Sequence, residues 1–469
     1  MIQLCMQKNI IGINSILLVV LVIIFQISFN INLNAKDTDT NIIIIAVDTL
    51  RADHLSCYGY PIKTSPAIDK LAMDGSLFKK CFSLTPLTAP SFSTMLTSLP
   101  AYKHGAKRNG LSIYHRIKTL PYYLKKEGYY SVAFISNWPL RKKLSHLHKY
   151  FDEYNEIFTK KRWFGLFQPE GKAEDVTKRA INWIEQNKNN KFFMWIHYTE
   201  PHAPYIKHKK FDYSSYMVKK DVYPPNSSIK KIKKYDSEVS YTDYYIGKFI
   251  DKLKEHNLYR NSLIIFIADH GESFGEHNYF KHGRKLYNST INVPLIIKRP
   301  NNINRNNPIS KPVTLLDIAP TILSIIGTDI PKTMEGKVLL KQDKDELYKD
   351  IFIETYRGAV HFKKSTVGQI KVSPTYFGLI KYPFKIIAKI KFKNLRYKKI
   401  EVYNIENDFF ETKNIWNKKS EELMNMSKIL KKHIYNIKLY LRYSKKHYKQ
   451  NSKITKDDME QLKTLGYIH

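Results

Sequence analysis

Two uninterrupted apolar runs, Ile42–Val47 and Leu263–Ala268, each end directly in ionisable side chains: Asp48 after the first, Asp269-His270 after the second. Continuous apolar, β-branched runs of this length read as strands covered on both faces. Ligands of an open α/β sheet bind at the carboxyl ends of its strands, so the two runs point at one site. The segments around them alternate. Helices are predicted from Ser65-Pro66 through Met73, over Leu120–Lys126, Glu174–Gln186 and Tyr235–His256, and over Thr314–Ile326, closed by Gly327. Further strands are predicted at Tyr130–Ile135, Phe192–His197 and Val293–Ile297. Repeated β-then-α order implies an α/β fold, with a mostly parallel central sheet and helices on both faces. After Pro331 the pattern shifts to shorter strands (Ile351–Glu354, Tyr376–Ile380, Phe384–Ile390, Ile400–Tyr403) and a terminal helix, Ser420–Ser444. This reads as a smaller carboxyl-terminal α+β subdomain. The expected division is a leader at 1–35, a catalytic domain at 36–330 and the subdomain at 331–469. Trp163–Glu174 reads as an exposed loop.

The bulk composition narrows the function classes. Over 469 residues, 43% are hydrophobic and 25% charged, which excludes wholesale disorder, a collagen-like chain and a polytopic membrane protein. Three cysteines exclude a disulfide scaffold and a four-cysteine zinc site. The net charge of +35 admits a polyanion partner or a plain lysine-rich bias. The dense runs Lys230–Lys234 and Lys385–Lys399 lie in segments without helix periodicity or a nucleic-acid module, so no specific nucleic-acid partner is expected. Attraction to anionic surfaces follows in either case. At the amino end, Asn9–Phe29 carries no charge and Ile16–Phe25 is purely apolar, with Lys8 before it and Asp37 and Asp39 after it. That asymmetry predicts export, by a cleaved signal or a retained membrane anchor. The protein is then periplasmic or extracellular, or held on the outer side of a membrane.

Asp48, Asp269 and His270 make a hard-to-borderline ligand set suited to Mg²⁺, Ca²⁺, Mn²⁺ or Zn²⁺. A third element is the segment from Leu84 to Thr97, in which Thr88 precedes Ala89, Pro90 and Ser91. Pro90 and Ser91 suit a first helical turn, which places Thr88 at a helix amino terminus, where free N–H groups attract an anion. Thr88 is there either a helix cap or, beside a metal, a nucleophile.

Ala46-Val-Asp-Thr-Leu-Arg-Ala-Asp-His-Leu-Ser-Cys-Tyr-Gly59 resembles the opening motif of the sulfatase family, within the alkaline phosphatase superfamily. Thr-Ala-Pro-Ser (88–91), Tyr102-Lys-His-Gly105, Glu200-Pro-His-Ala-Pro-Tyr205 and Ala268-Asp-His-Gly-Glu-Ser-Phe-Gly-Glu-His277 continue the resemblance. So do Val293-Pro-Leu-Ile-Ile297, Leu316-Asp-Ile-Ala-Pro-Thr321, the segment from Tyr403 to Asn414 and the closing Leu462-Lys-Thr-Leu-Gly-Tyr467. The resemblance runs from about Asn41 to the end and implies an alkaline-phosphatase-like fold. It also implies roles: Asp48, Asp269 and His270 as metal ligands, Thr88 as nucleophile and further ligand, and Asn109 on a non-bridging ester oxygen. His202 and His282 would contact substrate, and one of the two, His202 or His282, would protonate the leaving group. His104 would support the loop between Thr88 and Asn109, and His277 is left between a structural and a functional role.

Three departures from the family pattern bear on the reaction. Sulfatases mature a Cys or Ser to formylglycine in a Cys-x-Pro-Ser-Arg pattern, whereas here Thr88 holds that position and Phe92 replaces the arginine. Cys81 lies too early and lacks the pattern, so no formylglycine is expected. Thr49 stands where many sulfatases pair a second acid with Asp48. Asp236 and Asp243 lack the histidine that a second metal would need, since Ser240 and Gly247 follow them at that spacing, so one divalent metal is expected. Threonine favours phosphoryl chemistry, which makes a phosphodiester or phosphonate monoester hydrolase the leading expectation. A sulfuric ester hydrolase is the alternative. A membrane-associated phosphotransferase to a lipid head group or anionic surface polymer, and an inactive binding protein, complete the set.

Overall fold

The computed structural model describes residues 40–158, 170–212, 223–340, 350–356 and 375–447. The amino-terminal apolar run, the loop residues 163–169 and the closing Leu462–Tyr467 motif lie outside them. Among the described residues no helix is long and apolar enough to cross a membrane.

An eight-stranded sheet forms the centre. Its order is Asn307–Ile309, Ser76–Phe78, Leu295–Lys298, Leu263–Ala268, Ile42–Val47, Phe192–Tyr198, Tyr130–Ile135 and Glu153–Glu156. The five strands from Leu263–Ala268 to Glu153–Glu156 are parallel. Every residue of Ile42–Val47 and Leu263–Ala268 is buried, because helices cover both faces. The long helix Ile229–Glu255 packs on Pro66–Met73 and Ala173–Asn187 in one layer, while Thr88–Thr97 packs on Leu120–Lys126 and Ile318–Ile325 in the other.

Two expectations are corrected. The predicted strand Val293–Ile297 is split at Pro294, which has no N–H to give to a ladder. Asn292–Val293 pairs with Cys81–Phe82 in a separate small sheet. Leu295–Lys298 enters the central sheet antiparallel to Leu263–Ala268 and to Ser76–Phe78. A parallel return needs a crossover, usually a helix. Between Ala268 and Leu295 the chain forms one four-residue α-helix, Asn288–Ile291, beside two-residue strands and a single 3-10 turn, and so provides no crossover helix. The second correction concerns Lys230–Lys234, which lies inside the helix Ile229–Glu255. Ile232 is its one buried residue and sits in helical phase with Tyr235 and Asp236, also buried, so the lysines line the outer side.

The carboxyl-terminal unit is a four-stranded antiparallel meander, Ile351–Thr355, Tyr376–Lys381, Phe384–Lys391 and Arg396–Asn404, with the helix Glu421–His447 against it. Its side chains alternate. Phe377, Leu379, Ile386 and Val402 meet Leu423, Met426, Leu430 and Ile434 of the helix. Ile353, Tyr376, Ile380, Ile387 and Tyr403 face the other way, onto Phe82, Leu84, Leu286, Tyr287 and Ile291 of the main domain.

Candidate active site

Register sets the site. Val47 is level with Ala268 on one side and with Tyr198 on the other. The next residues of the first pair, Asp48 and Asp269, therefore leave the sheet side by side. Asp269 Oδ1 accepts from the N–H groups of Thr49 (3.1 Å) and His270 (2.8 Å). Its other oxygen is buried with no hydrogen-bond partner. Asn137, just beyond the strand Tyr130–Ile135, donates from Nδ2 to Asp48 Oδ2 at 2.9 Å. His270 Nδ1 lies 3.0 Å from the Gly271 carbonyl, which fixes the proton on Nδ1 and leaves the Nε2 lone pair open. Nε2 lies 3.3 Å from Asp269 Oδ2 and 3.9 Å from Asp48 Oδ1.

Ligand atoms of Asp48, Asp269 and His270 all lie within 4.8 Å of one another, and the three side chains are fully buried. Burial, outweighing the two backbone N–H bonds, pushes the Asp269 carboxyl up to about 7. Burial likewise lowers His270. Two buried carboxylates, an orphaned carboxylate oxygen and an imidazole in the ligating tautomer fit a divalent cation, because an uncompensated buried charge is costly and a cation removes that cost. The two acids considered for a second metal are used otherwise. Asp243 accepts from the N–H groups of Ala67 and Ile68 at the start of Pro66–Met73. Asp236 holds His54 Nδ1 at 2.7 Å and the Tyr60 hydroxyl at 2.8 Å.

Thr88 is the first residue of the helix Thr88–Thr97, and the preceding Leu87 is its N-cap without a side-chain cap bond. The Thr88 hydroxyl is therefore not a helix cap. It lies 3.3 Å from His270 Nε2, inside the acidic cluster. The N–H groups that follow Thr88 at this helix terminus are largely used within the fold. The Ala89 N–H goes to Asn109 Oδ1 at 3.0 Å, Pro90 has none, and the Ser91 N–H closes on the Leu87 carbonyl. Asn109 supplies a donor in their place, because with Oδ1 so fixed its Nδ2 is buried and has no hydrogen-bond partner. His104 Nδ1 accepts from the Ala106 N–H at 3.1 Å and its Nε2 meets Thr94 Oγ1 at 3.1 Å, so it braces the turn between Thr88 and Asn109. Phe92, buried, packs on Trp195 (4.9 Å between ring centres) and on His197 (5.2 Å).

His202 and His282, both buried, come together at 5.3 Å between ring centres, and the His282 ring centre lies 4.4 Å from that of His270. Glu272 Oε1 is 3.3 Å from His282 Nδ1. Burial holds His202 well below the usual histidine range. His277 stands apart from these residues, stacked on Tyr287 at 3.6 Å with Nε2 on the Phe410 carbonyl. Three neighbours escaped the sequence reading. Asn137 obeys the same strand-end rule that singled out Asp48 and was legible by it. Glu272 lies in a quoted motif, but its pairing with His282 depends on the loop fold. Arg51, fully buried, joins Asp53, Glu276 and the Glu272 carbonyl, tying the loop after Asp48 to the loop after His270.

The sheet order, the helices on both faces and the carboxyl-terminal antiparallel meander define an alkaline-phosphatase-like fold. The sulfatase family model matches residues 40–328, and a model for the carboxyl-terminal part of N-sulphoglucosamine sulphohydrolase matches residues 275–439. The chain belongs to the sulfatase family. An arylsulfatase of Clostridium perfringens is 23% identical over 387 residues, covering 66% of this chain and 80% of that protein. An ulvan-active sulfatase of Formosa agariphila is 25% identical over 347 residues, covering 65% of this chain; the chain spans 55% of that relative's length. Among solved structures, one in complex with its substrate D-glucosamine-2-N,6-O-disulfate superposes with a TM-score of 0.68 at 19% identity, covering 86% of this chain and 98% of the other. A phosphonate monoester hydrolase of Silicibacter pomeroyi gives 0.61 at 19% identity, covering 86% and 96%. These likenesses fix the fold.

Proposed function

We propose that this chain hydrolyses sulfate or phosphate esters at the Asp48–Asp269–His270 cluster, with Thr88 as nucleophile. The observation that carries the proposal is the Thr88 hydroxyl, released from capping and held 3.3 Å from His270 Nε2. A divalent cation bound by Asp48, Asp269 and His270 would lower the pKa of the Thr88 hydroxyl and offset charge on the ester oxygens. Thr88 Oγ1, ionised by loss of its proton to solvent, attacks sulfur or phosphorus in line with the alcohol oxygen, and that oxygen's bond to the central atom breaks. Asn109 Nδ2 donates to a non-bridging oxygen. His282, its Nδ1 directed at Glu272, gives a proton from Nε2 to the departing alkoxide. His202 orients an ester oxygen. Water then attacks the enzyme-bound group and passes a proton to His282; the anion is released as its bond to Thr88 Oγ1 breaks, and Oγ1 regains a proton from solvent.

The names of the relatives support a sulfate ester, borne on a sugar in the disulfated glucosamine complex. One residue favours the second reading, a phosphodiester or phosphonate monoester. Formylglycine has a second hydroxyl from which sulfate can be expelled, and threonine has none, whereas a threonine-bound phosphoryl group is open to water at phosphorus. The test uses the full chain loaded in turn with Mn²⁺, Zn²⁺, Mg²⁺ and Ca²⁺. Release of nitrophenol is followed from its sulfate, its phosphate, the bis-ester and the phenylphosphonate, beside Thr88→Ala. Metal-dependent release that disappears in Thr88→Ala is expected, and the preferred ester decides between the two readings. Full turnover by Thr88→Ala would remove the nucleophile from the mechanism.

A further inference from the structure

The segment that follows His282 is held mainly by the carboxyl-terminal subdomain rather than by its own domain. Thr355 Oγ1 donates to the Gly283 carbonyl at 2.7 Å. Lys285 Nζ reaches the Tyr376 hydroxyl at 3.2 Å. Lys385 Nζ donates to the Leu286 carbonyl (3.2 Å) and to Asn288 Oδ1 (2.7 Å). The Tyr287 hydroxyl donates to Glu401 Oε2 at 3.1 Å. The Asn288 N–H donates to Glu411 Oε2 at 2.6 Å, and its Nδ2 donates to the Phe409 carbonyl at 2.9 Å. The ties to its own domain are fewer: the Arg284 N–H donates to the Tyr279 hydroxyl, Tyr287 stacks on His277, the Thr290 hydroxyl donates to the Lys285 carbonyl, and the Thr290 and Ile291 carbonyls accept from the N–H groups of Gly271 and Ser83.

At the centre of this clamp Lys385 and Glu411 form an ion pair with both side chains fully buried. Such a pair is a poor source of stability, because desolvation offsets most of its attraction, and apolar residues of similar volume often do as well. It is directional, however. Lys385 divides its donors among Glu411, Asn288 and the Leu286 carbonyl, and Glu411 takes the Asn288 N–H with its second oxygen. The pair therefore fixes where the 286–288 backbone lies, and Leu286 and Tyr287 are sealed there by Ile353, Tyr376 and Tyr403. His282 immediately precedes the clamped Gly283.

We propose that Thr355, Lys385 and Glu411 are positioning residues for His282: the carboxyl-terminal subdomain sets the place of the imidazole that serves the leaving group. This rests on the role given to His282 above. A displacement of about 1 Å at such a group can cost on the order of 100-fold in rate.

The test uses the full chain and two variants. Thr355→Val deletes the bond to the Gly283 carbonyl, and Lys385→Met/Glu411→Gln removes the buried pair without leaving a lone charge. The direct readout is the imidazole signal of His282 in histidine-labelled protein, identified by its absence in His282→Gln. It does not depend on turnover, so an inactive chain would refute the proposed function and still leave this inference decidable. Expected is a shifted or broadened His282 signal in each folded variant, with the signals of His104 and His54 unmoved. Where an ester is cleaved, kcat should fall about tenfold with KM within about twofold, and adding either variant to His282→Gln should cost nothing further. An unmoved His282 signal in folded Thr355→Val, or full additivity with His282→Gln, overturns the proposal. If the double variant fails to fold, Thr355→Val alone carries the same two outcomes.

Discussion

Asn137 leaves Asp48 one oxygen for a cation by occupying the other at 2.9 Å. Partners that orient a ligand in this way typically control metal affinity by about 10–100-fold. Asn137→Ala is expected to weaken divalent-ion binding by that factor in a calorimetric titration, with the fold retained; unchanged affinity would mean that Asp48 needs no orienting group. A second residue reports on pH. Burial, helped by the Glu238 charge, raises the Glu200 carboxyl to about 8 from an ordinary value of 4.5. Between those values the folded chain keeps a proton that the unfolded chain has released. The contribution of Glu200 is thus fully present below 4.5 and is lost as pH rises through 8. Glu200→Gln should flatten the decline of Tm across this window, and a parallel decline in both proteins would show that Glu200 is not its source. Residues such as Asp48, Asp269 and His270 were legible because a strand end is a place fixed by the sequence. The pairing of Glu272 with His282 was not, because loop geometry brings them together.

Between residues and the whole chain stand the elements whose ends make the site. Runs covered on both faces, such as Ile42–Val47, declare themselves by composition alone. The short strands Ser76–Phe78, Glu153–Glu156 and Asn307–Ile309 do not, since their neighbours in the sheet, not their own residues, supply the reason to be extended. Orientation was hidden too: the antiparallel Leu295–Lys298 follows from the loop path after Asp269, which no periodicity records. Gly271 marks how tight that path is. Its N–H donates to the Thr290 carbonyl at 3.0 Å, and a Cβ there would stand 2.2 Å from the Ser289 carbonyl oxygen. Backbone meets backbone, so no side chain can rotate away. Gly271→Ala should push the Asp269-His270 turn off the 289–290 segment, costing about 1–3 kcal/mol of stability and weakening metal binding together. Loss of stability with metal affinity intact would show that the turn and the ligand cluster are not coupled.

At the scale of the whole molecule the question is whether the carboxyl-terminal subdomain is an appendage, as the change of pattern after Pro331 suggested, or part of one folding unit. Its sheet has two apolar faces, and one helix can cover only one of them. The second closes on Phe82, Leu84, Leu286, Tyr287 and Ile291 of the main domain. The Lys385–Glu411 pair and the Asn288 bonds cross the same boundary. Cutting there would expose apolar surface on both parts and leave buried polar groups without partners, each worth about 1–3 kcal/mol, against a total stability of about 5–15 kcal/mol for a typical protein. The full chain is therefore expected to unfold in one calorimetric transition, with equal calorimetric and van't Hoff enthalpies, and residues 36–330 alone are expected to lack a cooperative transition. Two separated transitions in the full chain, with the first assigned to residues 331–469, would show that the subdomain folds by itself and that the shared apolar face is an ordinary interdomain contact.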